Sequence, residues 1–239
     1  MIEKILPSGV AVAEVFSDLP DAVLMPAEEE LVHRYVEKRR LEFTTTRHCA
    51  RRALGELGIA PVPILKGERG APVWPQGVVG SMTHCVGYRA AVVARDADVL
   101  TIGIDAEHNA PLPDDVHDNI ALTTEQEREH ELRRRNPDIH WDRLLFSAKE
   151  SVYKAWFPLT RRWLGFEEAD IVLHPDGGFT AEILASRTAA RSGTNPRAPF
   201  GEVPEPSAGP AEDPSEFRGR WLAADGLLVT AIVVAEPAA

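Results

Sequence analysis

Two stretches of this chain carry side chains whose types and spacing allow chemistry. In TIGIDAEHN, Thr101 to Asn109, an apolar run ends in Asp105 and Glu107, one residue apart. Residues i and i+2 of a strand project to one face, so the two carboxylates point together if the strand persists to Glu107. Carboxylates that close repel each other unless a cation sits between them, and oxygen-only ligands favour Mg²⁺ or Mn²⁺ over zinc. The alternative is a strand running out into an acidic surface turn. In FSAKESVYK, Phe146 to Lys154, helical spacing puts Leu145, Ala148, Val152, Ala155 and Trp156 on an apolar stripe. Ser147, Glu150, Ser151 and Lys154 then fall on the opposite side, where an ordinary solvated helix face is the alternative reading. If Glu150 faces Asp105 and Glu107, three carboxylates share one divalent ion that awaits substrate phosphates.

A second group suits anions. The chain has a net charge of −11, yet Lys38 to Arg52 holds Lys38, Arg39, Arg40, Arg47, Arg51 and Arg52 against Glu42 alone. Arg40, Arg47 and Arg51 lie seven and four residues apart, near one helical stripe. Lys66 and Arg69 sit in the Gly-rich KGERG, where backbone amides can approach an anion closely. GSMTHC adds Thr83 and His84 just before a strand. Arg forks and Lys point charges suit phosphate oxygens, which makes a small polyphosphate ligand a candidate. The competing readings are a soluble basic face and a hydrogen-bonded structural histidine.

The elements that must position these groups follow from periodicity and punctuation. PAEEELVHRYVEKRR predicts a helix with Pro26 in its first turn, acidic at its start and basic at its end. A second helix over Leu41 to Leu57 is closed by Gly58 and Pro61. PILKGERGAPVWP reads as loop. Tyr88–Ala94 and Val99–Asp105 read as the two strands of a hairpin. TTEQEREHELRRR predicts a helix capped by Thr, and WDRLLFSAKESVYKAWF a helix stopped by Pro158. GRWLAADGLLVTAIVV reads as strand, Asp-Gly turn, strand. Each half thus carries helices and then a closing hairpin, an α+β architecture of two similar halves, 1–100 and 101–239. Residues 187–216, with six prolines and three glycines, predict a long mobile loop.

Composition narrows the function. With 239 residues, 44% hydrophobic and 26% charged, the chain can bury a sizeable core. Its negative charge argues against nucleic acid as a partner. Two cysteines, Cys49 and Cys85, without ligand spacing fit a reducing cytoplasm. MIEKILPSGV lacks the basic region of a secretory leader. The longest apolar run, Gly226 to Ala235, is about half of what a membrane span needs.

IGIDAE and FSAKESVYKAW, with LKGERGAPVWP and GSMTHC upstream in order, resemble the signature motifs of the 4′-phosphopantetheinyl transferases. The match runs from about Glu37 to Phe166. It is closest to the Sfp-type, carrier-protein-activating enzymes of the actinobacterial branch. A lysine common before the loop proline in that family is Ala71 here, leaving the contact to Lys66 or Arg69. The resemblance implies a pseudo-two-fold α+β monomer with its site between the halves. It implies coenzyme A as donor, a serine of an acyl or peptidyl carrier protein as acceptor, and 3′,5′-ADP as leaving product. By motif position, Asp105, Glu107 and Glu150 would carry Mg²⁺, with Mn²⁺ possible. Glu150 would also activate the serine, and Lys154 would neutralise or protonate the leaving phosphate. Arg40, Arg47, Lys66, Arg69, Thr83, His84 and the motif's Lys149 would contact the coenzyme.

Carrier proteins are usually acidic, as this chain is, so docking would need a local patch. LRRRN and TRRWLGF offer Arg beside Trp163, Leu164 and Phe166, with core packing the other reading of these aromatics. Two further functions stay open: a Mg²⁺-dependent hydrolase of coenzyme A, and a non-catalytic coenzyme A-binding module.

Overall fold

The Asp-Gly signal forms a tight hairpin between the strands Glu216–Ala224 and Leu227–Ala235, as expected. Asp225 and Gly226 both have positive φ, 52° and 74°, the combination that matches the twist of antiparallel strands. The computed structural model describes residues 1–184 and 213–236. In chain order the elements are β1 (Ala11–Val15), α1 (Pro26–Val32), α2 (Glu37–Glu56), β2 (Leu65–Lys66), β3 (Pro72–Val73), β4 (Val78–Cys85), β5 (Tyr88–Arg95) and β6 (Val99–His108). They continue with α3 (Asp114–Ile120), α4 (Thr123–Arg135), α5 (Trp141–Thr160), β7 (Ala169–Leu173), β8 (Gly178–Ile183), β9 (Glu216–Ala224) and β10 (Leu227–Ala235). The mixed α+β class is as expected. The predicted loop at 187–216 falls outside the described residues as far as 212, and its last residue, Glu216, opens β9.

Two antiparallel sheets form, ordered β1-β5-β4 and β6-β10-β9-β8-β7, with β2 and β3 as a separate ribbon. The 20-residue α2 packs across the first sheet through Cys49, Ala50, Ala53 and Leu54. The 20-residue α5 packs on the second through Leu144, Leu145, Ala148, Val152 and Trp156. A third cluster fills the space between the sheets, with Tyr88, Ala90 and Val92 of β5 facing Ile102 and Ile104 of β6 and Val229 and Ala231 of β10.

The predicted hairpin of Tyr88–Ala94 with Val99–Asp105 is corrected. β5 pairs with β1 and β4, whereas β6 pairs with β10, so the short turn between them passes the chain from one sheet to the other. GSMTHC belongs to β4 itself, and the true hairpin partner of β5 is β4, across Val86 and Gly87. β4 lies alongside β6 without a ladder, bridged where the Ile104 amide donates to Ser81 Oγ at 3.1 Å.

Helix boundaries shift for identifiable reasons. The first predicted helix breaks after Val32, and its basic end becomes the start of α2. Tyr35, in the break, packs edge-on against Phe43 at 6.0 Å, a tertiary contact that overrides a continuous helical pattern. The predicted Thr cap is replaced: Leu122 is the cap residue, and Glu125 reaches back to its amide at 2.7 Å. Pro158 does not stop α5, which runs on to Thr160 and closes at Arg161 in the left-handed region, φ 55°. Gly58, at φ 72°, ends α2 as expected, with the Ile59 amide donating to Leu54 O.

Candidate active site

Strand β6 delivers Asp105 and Glu107, and the polar side of α5 lies against it. That side is not solvated. Ser147 and Ser151 are fully buried. Ser147 Oγ meets Thr230 Oγ1 at 3.0 Å, and Thr101 Oγ1 donates to Ala155 O at 2.9 Å. The close approach depends on Gly103: a Cβ there would overlap the Ser151 carbonyl oxygen and lie 2.8 Å from the Ala155 nitrogen. α5 is therefore buried on two sides, which its alternating stripes did not disclose.

Cations from α5 meet the strand carboxylates in antiparallel order. Lys154 Nζ donates to Asp105 Oδ1 at 2.7 Å and to Ile104 O at 3.0 Å. Arg143 Nη1 donates to Glu107 Oε2 at 3.1 Å, while its Nε and Nη2 hold Ala110 O and Pro111 O. Glu150 lies between these cations in sequence. Burial pushes its carboxyl above the usual 4.5, with Asp105 adding to the rise and Lys154 opposing it. Glu107 is raised as well, first by burial and then by Asp105, against the pull of Arg143. From the first sheet, Thr83 Oγ1 donates to Asp105 Oδ1 at 3.3 Å.

Asp105 is 5% exposed, and its Oδ2 is buried without a hydrogen-bond partner. An orphaned anionic oxygen in the field of Glu107 and Glu150 suits a hard divalent cation. Among the described residues no three His, Cys, Asp or Glu side chains stand close enough to cage an ion. Mg²⁺ does not require a cage: it takes one or two carboxylates, keeps waters and adds substrate phosphates. The residues present fit it as an open, oxygen-lined site.

The anion-binding candidates divide. His84 Nε2 lies 2.6 Å from Arg39 Nη1 and its Nδ1 4.0 Å from Glu42. Burial, then Arg39, lowers its pKa to about 4, so the ring is neutral and accepts from Arg39. Arg39 was missed in the sequence, where the stripe spacing favoured Arg40. Arg40 instead faces outward on Glu29 at 2.6 Å. Arg47 is buried, stacked 3.6 Å from the Phe43 ring centroid, with Nε donating to Ile64 O at 3.3 Å. Lys66 donates to the Tyr35 hydroxyl, with its ammonium 5.0 Å and 5.4 Å from the Tyr35 and Phe43 ring centroids. Arg69, at φ 51°, lies 5.5 Å from the Trp163 ring, bridging the KGERG turn to the segment after α5.

Lys149 is not brought to this group. It is 3% exposed and its Nζ, at the wall of the cavity beside Glu150, holds Phe166 O at 2.7 Å, Ala169 O at 2.8 Å and Glu125 at 2.9 Å. Three acceptors leave its ammonium nothing to offer a phosphate.

Beside Glu150 opens a cavity of about 190 Å³ lined also by Lys149, Tyr153, Trp163, Leu164, Gly165, Phe166 and Ala169. Trp163 is 58% exposed and tilts against Tyr153 at 5.1 Å, so core packing does not describe it; Leu164 is buried. Of LRRRN, Leu132 is buried, and Arg134 and Arg135 both pair with Glu131.

Comparison with known proteins gives one direction. A family model described as the 4′-phosphopantetheinyl transferase N-terminal domain matches residues 27–94, and one for the 4′-phosphopantetheinyl transferase superfamily matches residues 101–197. The chain is 51% identical to 4′-phosphopantetheinyl transferase Svp of Streptomyces mobaraensis, over 100% of this chain and 91% of the relative. It is 50% identical to transferase Npt of Nocardia iowensis, over 98% and 100%. To transferase PptT of Mycobacterium tuberculosis it is 46% identical, over 98% of each.

Proposed function

The chain belongs to the 4′-phosphopantetheinyl transferase family, and we propose that it moves the 4′-phosphopantetheine group from coenzyme A to a serine hydroxyl of an acyl or peptidyl carrier protein. The serine Oγ–P bond forms, the diphosphate P–O bond breaks, and 3′,5′-ADP leaves. The observation that carries this reading is the meeting of Asp105, Lys154 and Glu150 across β6 and α5, next to an apolar cavity.

A serine hydroxyl is a weak nucleophile and needs a positioned base. Glu150, with its raised carboxyl pKa, is that base and takes the serine proton. Lys154 holds Asp105 Oδ1 and supplies positive charge where the leaving phosphate gathers electrons. Asp105, through its unpartnered Oδ2, with Glu107 or Glu150 as a second carboxylate, would hold Mg²⁺, whose chemistry there would be neutralising charge on the diphosphate. Arg39, His84, Lys66 and Arg69 receive the phosphates of the donor, and the cavity beside Glu150 takes its flexible arm. These residues all come from one chain, which supports a monomeric enzyme. Among the described residues no helix is long and apolar enough to cross a membrane. Docking of the carrier falls to the exposed Trp163 with Arg161 and Arg162 just before it in the chain.

Incubation with coenzyme A, Mg²⁺ and apo carrier proteins, read by intact mass, tests the reading. A transferase adds the mass of one phosphopantetheine to the carrier. A coenzyme A hydrolase consumes the donor and leaves every carrier unchanged, which would refute the proposal. Glu150→Gln is expected to lower transfer by about 10²–10⁴-fold while coenzyme binding stays measurable, which a binding module without turnover would not show.

A further inference from the structure

We propose that Glu28 is a positioning residue for the turn that presents Lys66 and Arg69 to the donor's phosphates, an inference that rests on the coenzyme A reading above. Glu28 lies in the first turn of α1, about 40 residues before that turn, and is fully buried, 0% exposed. Its carboxylate gathers three separate segments. Oε2 accepts from the Met25 amide at 2.9 Å, which caps α1. Both oxygens accept from Arg51 Nη1 of α2 at 2.8 Å. Oε1 accepts from the Ile64 amide at 2.8 Å.

The Ile64 bond is the informative one. Capping α1 and pairing with Arg51 would make Glu28 an ordinary structural acid. Reaching the Ile64 amide ties it to the residue immediately before β2, whose second residue is Lys66. Ile64 is held at its other end too, because its carbonyl accepts from Arg47 Nε at 3.3 Å. One residue is thus gripped by its N–H and its C=O from two buried side chains. Lys66, two residues on and so within about 7 Å of chain, has little freedom to leave Tyr35 and Phe43. Gly67 N donates to Ala71 O at 2.7 Å, closing the turn around Arg69. A fixed start and a closed turn present two cations in a preset arrangement, which lowers the ordering cost of binding a phosphate. Arg47, expected from the sequence to touch phosphate itself, acts here as the second strut.

The test uses the full-length chain with Glu28→Gln, measured for 3′,5′-ADP binding by calorimetry and for transfer at varied coenzyme A. Gln keeps one acceptor oxygen where the carboxylate has two, so it cannot serve the Met25 and Ile64 amides together, and the loosened turn is expected to raise the Kd for 3′,5′-ADP and the KM for coenzyme A roughly tenfold. The kcat at saturating donor stays unchanged. A merely structural role would lower the folded fraction, and with it apparent kcat, at constant KM; that pattern overturns the proposal. A cycle with Lys66→Ala sharpens it: in that background Glu28→Gln adds little, and fully additive losses would show that Glu28 does not act through Lys66. Should Glu28→Gln fail to fold, Arg51→Lys, which keeps the charge and loses the fork, is expected to raise the same Kd severalfold, and an unchanged Kd overturns the clamp. A wild-type chain that binds neither 3′,5′-ADP nor coenzyme A refutes the donor reading beneath it, a result distinct from a variant that binds as tightly as wild type.

Discussion

Adding a single methyl group at Gly103 tests whether the contact between β6 and α5 positions the chemistry. The new Cβ would overlap the Ser151 carbonyl oxygen and approach the Ala155 nitrogen to 2.8 Å, with the Ser151 carbonyl carbon at 3.0 Å. All three atoms are helix backbone, so no side chain can swing aside. Restoring an ordinary 3.4 Å to the Ala155 nitrogen alone moves α5 by about 0.6 Å, and clearing the Ser151 oxygen takes more. Glu150 and Lys154 flank Ser151 on the same helix, so the retreat opens the 2.7 Å Lys154–Asp105 and 3.0 Å Lys154–Ile104 bonds. Overpacking costs about 1–3 kcal/mol of stability. A displacement near 1 Å from productive geometry costs about 10²-fold in rate. Gly103→Ala is therefore expected to remain folded with a lowered Tm, to bind coenzyme A near normally, and to transfer about 10²-fold more slowly. Thermal unfolding and intact-mass time courses read the two effects. A cooperative, folded variant with wild-type transfer rates would refute the idea that this close contact sets the alignment.

Lys149→Met leaves Glu125, 1% exposed, without its cation, and is expected to destabilise the protein by about 3–5 kcal/mol in denaturant titrations without changing the KM for coenzyme A. His84, at about 4 rather than 6.5, is neutral in the folded chain, so unfolding takes up a proton between those values and stability falls as pH drops from 6.5 toward 4. A phosphate arriving beside it favours the charged ring, so coenzyme A binding in that window is expected to take up protons, seen by calorimetry in two buffers of different ionisation enthalpy and abolished in His84→Asn. Arg143→Gln removes the Nη1 bond that orients Glu107 and is expected to weaken Mn²⁺ binding in the presence of coenzyme A about 10–100-fold, measured by electron paramagnetic resonance.

The placement of the proposed reacting groups was legible because they lie on regular elements. Period 2 placed Asp105 beside Glu107, and period 3.6 placed Glu150 with Lys154. What the sequence hid was non-local. A strand-turn-strand pattern at 88–105 looks the same whether the two strands pair together or separate into different sheets; the choice rests on β1, β4 and β10, which are distant in the chain. Arg39 and Arg40 are adjacent letters, and only the placement of His84 and Glu29 distinguishes the guanidinium that meets the imidazole from the one that meets the acid. Lys149 shares a motif with Glu150 but stands 100° around the helix, where Glu125 claims it. Glu28 read as one of three acids at a helix start, and its capture of Ile64 leaves no local trace.

The seam between β4 and β6 has a consequence for protein engineering. Ser81 Oγ and Thr83 Oγ1 of the first sheet reach Ile104 and Asp105 of the second, so the border between the two sheets runs through the proposed metal-binding aspartate rather than around it. Chimeras that graft one relative's first sheet onto another's second would have to inherit this pair of hydroxyls together with the strand they support. Crossover points near residue 97, attractive on a linear map, cut between partners that function as one unit.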